Sequence, residues 1–199
     1  MTIGHDAVAD EALFAGLHGV DVTVAFEGLP GDEDRLLWAF EQFEAAGLEL
    51  GSVHVAFFEG PKHCRGGAGL HFFTRTTPTV VVCNPNASQR HRTLLHELAH
   101  VWVGRSLSAG VRTLFLDARG LTTWCGSDVL WGERGTEHAA EIVAWGLSDH
   151  PCWEVPRAEI GDRDMDVLAA QFVLLTGTEP RCDAGAVRPN PHRYHQVIE

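Results

Sequence analysis

The amino-acid sequence predicts an α+β fold, with a small, twisted sheet from the first half packed against a buried helix and further helices forming the other side of a cleft. Three observations carry this. Period-two alternation of apolar side chains, the mark of half-buried strands, is confined to the residues before Cys83. Beyond Cys83 the apolar residues recur at helical spacing. A length of 199 residues gives room for a single core, expected here as one domain over residues 1–177 with an irregular tail over 178–199.

Taken in order, Val20, Val22, Val24 and Phe26 alternate with Asp21, Thr23 and Glu27, which predicts a first strand. The run Gly31-Asp32-Glu33-Asp34 caps a helix and supplies negative charge at its N-terminus; Leu36, Phe40 and Phe43 then mark its inner face, and Gly47 ends it. Val53, Val55 and Phe57 predict a second strand. Leu70–Phe73 and Val80–Cys83 predict two more, joined through Thr74–Thr79. Asn84, Pro85, Asn86 and Ser88 form a cap-rich turn into an apolar run that ends near Gly104. Further helices are expected over Ser108–Arg119 before Gly120, from Thr136 to about Leu147, and over Asp164–Thr176 before Gly177.

Composition narrows the function classes. Hydrophobic residues at 45% and charged residues at 21% are globular values, so a disordered chain is excluded. A formal net charge of -12 repels phosphate backbones and anionic lipid, so neither nucleic acid nor a membrane is expected as a partner. The opening residues carry no basic, apolar leader pattern and no apolar run reaches about 18 residues, which predicts a soluble, cytoplasmic protein. The five cysteines, odd in number and without a C-x-x-C pair, are expected to be mostly reduced and buried as small hydrophobes.

Inside the helix after the cap-rich turn stands Leu95-His96-Glu97-Leu98-Ala99-His100-Val101, an H-E-x-x-H motif. Four residues along an α-helix bring His96 and His100 to within roughly 40° and about 6 Å of each other, so both imidazoles can reach one metal ion. Glu97 is not needed as a ligand and is left to take a proton from water. Position 106 is serine, which rules out the H-E-x-x-H-x-x-G-x-x-H variant. The best downstream source of a third ligand is Glu133–Leu147, where Thr136 can cap a helix that opens with Glu137 and places Glu141 one turn later.

These residues resemble the gluzincin branch of the zincin metallopeptidases, in which a glutamate on a second helix completes the two-histidine site. The run Glu137-His138-Ala139-Ala140-Glu141-Ile142-Val143-Ala144 is similar to the corresponding helix of the compact bacterial peptidases related to ImmA and IrrE. The resemblance covers about residues 88–147. It implies Glu137 as third ligand of one Zn²⁺ per chain and Glu141 as acceptor for an imidazole N–H. Two departures leave alternatives open: Glu141 stands where the family often has Asp or Asn, so the two glutamates can exchange roles, and His138 offers an adjacent nitrogen. Donors to an oxyanion are sought among Arg134, His138, Tyr194 and the tail pair His192 and His195. His63, Cys64, His71 and Cys83 match no recognised zinc spacing and are set aside.

The expected activity is zinc-dependent hydrolysis of peptide bonds in a peptide or protein substrate, with Glu97 as general base. The competing expectation is a regulatory module that keeps the zinc scaffold and binds a partner without cleaving it. A closed structural zinc site using Cys125 or His138 is a third. The spacing selects neither a substrate sequence nor an oligomeric state.

Overall fold

The computed structural model describes residues 10–17, 20–73, 77–149, 160 and 164–181, with side chains from residue 28 onward. The architecture is α+β. The chain divides into two compact units, Met1–Arg105 and Ser106–Glu199.

The first unit carries a five-stranded mixed sheet in the order β1-β2-β3-β5-β4, formed by β1 (Asp10–Leu17), β2 (Val20–Glu27), β3 (Val53–Phe58), β4 (Gly69–Phe73) and β5 (Pro78–Val82). The three inner strands run parallel and the two outer ones antiparallel to their neighbours. Helix α1 (Asp32–Ala45) crosses over from β2 to its parallel neighbour β3, as a parallel pair requires. Strand β1 was not expected: Asp10-Glu11-Ala12-Leu13 has no alternation, and the segment is extended through its pairing with β2.

The two faces of the sheet are filled differently. Val53, Val55 and Phe57 of β3 and Val80 and Val82 of β5 are all but inaccessible and make one face. On the other, Cys64, Val81 and Cys83 pack with Ala56, Phe58 and Leu70. There Cys64 and Cys83 form a disulfide that ties the one-turn helix Pro61–Cys64 to the end of β5. This corrects the expectation of reduced cysteines for this pair, which is buried but oxidised; Cys125 is a free thiol, as expected, but exposed rather than buried. A separation of 19 residues carries no spacing signal, and only the packing of the turn onto the sheet brings the two sulfurs together. Cys152 and Cys182 lie outside the described residues.

Helix α2 (Arg90–Ser106) is held at both ends. At its start Arg90 makes a bidentate ion pair with Asp32, Nε to Oδ1 at 2.8 Å and Nη2 to Oδ2 at 2.6 Å. Its Nη1 donates to the carbonyls of Phe58 and Asn84, so the buried guanidinium has polar partners on three sides. At the other end Arg105 donates to the carbonyls of Leu50 and Ser52. Its guanidinium lies where a side chain at Gly51 would reach, and Gly51 itself has the left-handed φ of 66°.

The second unit holds α3 (Ala109–Arg119), α4 (Gly135–Leu147) and α5 (Met165–Thr176). Ser108 and Asp164 cap α3 and α5 with their side chains, and Gly120 and Gly177 end these helices in the left-handed conformation. Helix α4 starts differently from expectation. Thr136 lies inside it, and the first N–H groups, of Gly135 and Thr136, donate to the carbonyls of Thr123 and Trp124, so the preceding loop does the work of a cap. Apart from Thr136, every residue of α4 is buried. Gly146 lets the Phe172 ring of α5 lie against its backbone. Among the described residues no helix is long and apolar enough to cross a membrane.

Candidate metal centre

The two histidines of the motif meet as the helical spacing predicts. The Nε2 atoms of His96 and His100 are 3.1 Å apart, with the rings nearly perpendicular. Two ring nitrogens at this distance share one proton or face one cation with both lone pairs. Tetrahedral zinc with bonds of about 2.0–2.1 Å places two nitrogens about 3.3 Å apart, so the pair fits such an ion. Imidazole nitrogen is a donor that zinc takes readily. His100 is buried and His96 half-buried.

Glu97 projects from the same helix and is 7% exposed. It meets β4, one of the two edge strands of the sheet. A side chain at Gly69 would put its Cβ 2.5 Å from Glu97 Oε1 and 2.8 Å from Thr93 Cγ2, so the carboxylate occupies room that exists because residue 69 is glycine. Two residues on, His71 Nδ1 lies 3.3 Å from Glu97 Oε2 and the His71 ring stacks on His100 with centroids 3.9 Å apart. Two residues further, the Phe73 ring covers Gly104, close enough to exclude a Cβ there. The register has a simple origin. Two strand residues advance about 6.6 Å and four helical residues about 6 Å, so alternate residues of β4 stay in step with successive turns of α2. Thr93, Glu97, His100 and Gly104 form that side of the helix.

His71 and Gly69 are the site residues that sequence reasoning missed. His71 pairs with Val80, which pairs with Val55, in a row across the sheet, and both of these valines are buried. An imidazole at the inward position of a predicted strand was the available signal. The ligating atoms of His71, Glu97 and His100 all lie within 4.8 Å of one another. His63, considered with His71 in the sequence, stacks instead on Phe58.

The remaining candidates lie in the second unit. Glu137 stands in the first turn of α4 and Glu141 one turn on, 8% and 3% exposed. His138 belongs to a buried network: its Nε2–H donates to the Gly132 carbonyl at 2.7 Å, and its Nδ1 accepts from Arg119 Nε at 3.1 Å. Arg119 also reaches Gln171 Oε1 and the Ile160 carbonyl. Both His138 nitrogens are thereby engaged in one neutral tautomer, which gives the ring a structural place and not that of a metal ligand or oxyanion donor. Burial holds its pKa below the ordinary 6.5; the Gly132 carbonyl opposes this, Arg119 adds to it, and Glu137 opposes it. Arg134 donates from Nε to the Val129 carbonyl beside the start of α4. Tyr194, His192 and His195 lie outside the described residues.

Comparison with family models, with curated proteins and with solved structures returns no match.

Proposed function

We propose that the protein is a zinc-dependent metallopeptidase, with His96, His100 and Glu137 holding one Zn²⁺ and Glu97 acting as general base. The observation that carries this is the pair of Nε2 atoms 3.1 Å apart on α2 with a buried carboxylate at the intervening position Glu97. Zinc bound there would polarise the scissile carbonyl and lower the pKa of water toward about 7. Glu97 takes the proton of the attacking water and passes it to the amide nitrogen as the carbon–nitrogen bond breaks. Such proton transfer contributes typically about 10²–10⁴-fold. The choice of Glu137 over Glu141 follows the resemblance of its helix to the ImmA/IrrE-like peptidases and its first-turn position.

A closed structural site would have no use for a base beside its ligands, and this favours catalysis over the binding-only module. The test is direct. Zinc is counted in the purified wild type and in Glu97→Gln, and both are incubated with unfolded cell proteins. About one zinc per chain in each, with cleavage in the wild type alone, is expected; cleavage that survives Glu97→Gln removes the general base. Glu137→Ala should lose zinc and Glu141→Ala should retain it with weaker affinity. The opposite result exchanges the two glutamates.

A further inference from the structure

A glutamate side chain has three rotatable bonds, and a general base works only while its carboxylate is held where the proton leaves. Glu97 is held by β4. Gly69 leaves the space that Oε1 fills, and the strand then carries His71 to Oε2. A carboxylate acting as general base takes up a proton and so only accepts hydrogen bonds beforehand; in that role its partner in this contact is an N–H on Nδ1 of His71. The ring plane is set independently, by its stack on His100 and its edge contact with Phe73.

We propose that His71 is a positioning residue: its Nδ1–H donates to Glu97 Oε2 and, with the ring clamped between His100 and Phe73, fixes the orientation of the general base. The inference rests on the peptidase reading above. A ligand role for His71 is disfavoured because a ring stacked face to face on a ligand imidazole does not aim its lone pair at the ion that imidazole binds. The proposal also accounts for the placing of an imidazole in a row with two buried valines. Its N–H has a partner there, on a side chain that is only 26% exposed.

Two substitutions separate the donor from the ring. His71→Phe keeps the aromatic stack and removes the donor; His71→Asn loses the stack and keeps an N–H near the Nδ1 position. With zinc-loaded protein and denatured casein, His71→Phe should lower kcat by about 10–10²-fold with KM and zinc content unchanged, the usual size of such supporting contacts. His71→Asn should recover most of that loss. Wild-type kcat in His71→Phe, equal loss in both variants, or loss of zinc in His71→Phe would each overturn the proposal, the last by making His71 a ligand.

A second measurement needs neither zinc nor turnover. Nitrogen-15 spectra of the metal-free chain should find the His71 proton on Nδ1 in the wild type and no longer held there in Glu97→Ala, since the tautomer follows the hydrogen bond. An Nε2–H tautomer in the wild type overturns the placement of Glu97 by His71 and leaves the peptidase reading standing. Absence of hydrolysis by the zinc-loaded wild type overturns the peptidase reading, and with it the catalytic consequence drawn from the contact.

Discussion

Asp32→Ala should destabilise the first unit far more than the loss of an ordinary ion pair. Asp32 and Arg90 are 1% and 0% exposed, and the guanidinium meets the carboxylate through two bonds of 2.8 and 2.6 Å. Removing the carboxylate leaves a cation that cannot deprotonate among buried groups. It also strips the side-chain acceptor from the Leu29 N–H and one of two acceptors from Arg35 Nη1, which keeps the Pro30 carbonyl. An exposed pair is worth about 0–1 kcal/mol, whereas breaking a buried one from one side costs about 3–5 kcal/mol. With a urea slope of about 2 kcal/mol/M the midpoint should fall by about 1.5–2.5 M. Urea unfolding followed by circular dichroism measures this. Asp32→Ala/Arg90→Met, which removes both charges, should recover much of the loss, because a buried pair replaced from both sides is often near neutral. A single-mutant loss below about 1 kcal/mol, or a double mutant no more stable than the single one, would refute the view that an uncompensated buried charge sets the cost.

Gly69→Ala should reduce kcat by about 10²-fold with zinc retained, because the new Cβ falls 2.5 Å from Glu97 Oε1 and misplacement of a reacting group by about 1 Å costs that much; steady-state kinetics beside a zinc count check it, and unchanged kcat would mean the strand gives way instead. Gly146→Ala, whose Cβ would meet the Phe172 ring at 2.1 Å, should cost about 1–3 kcal/mol in unfolding experiments through overpacking of α4 against α5. The buried neutral His138 makes stability depend on pH. The unfolded chain takes up its proton near pH 6.5 and the folded chain only at lower pH, so this contribution is complete above about 6.5 and declines as the pH falls below it. Urea midpoints of the metal-free protein should show a weaker decline between pH 7.5 and 5.5 in His138→Gln than in the wild type, and identical slopes would count against it.

Much of the fold was legible because its elements end on local chemistry. Ser108 and Asp164 cap the helices they precede, and Gly120 and Gly177 stop theirs with positive φ, as their residue types foretold. The alternation of Val53, Val55 and Phe57 reports the burial of one face of β3. Strand β1 and the start of α4 were not legible, because each is decided by hydrogen bonds to a segment elsewhere in the chain: β2 for the one, Thr123 and Trp124 for the other.

The candidate site divides the same way. The sequence by itself determined the histidine pair, because four residues of helix bring His96 and His100 together whatever surrounds them, and it placed Glu97 between them. Which strand lies along that helix, and in what register, only the tertiary structure decided. It placed Gly69 and His71 on the Glu97 carboxylate and joined Cys64 to Cys83. Period-two alternation tells which side of a strand faces inward, but it carries no information about which turn of which helix waits there. That choice is made by the packing of the sheet on α2, through contacts between residues that have no fixed separation along the chain.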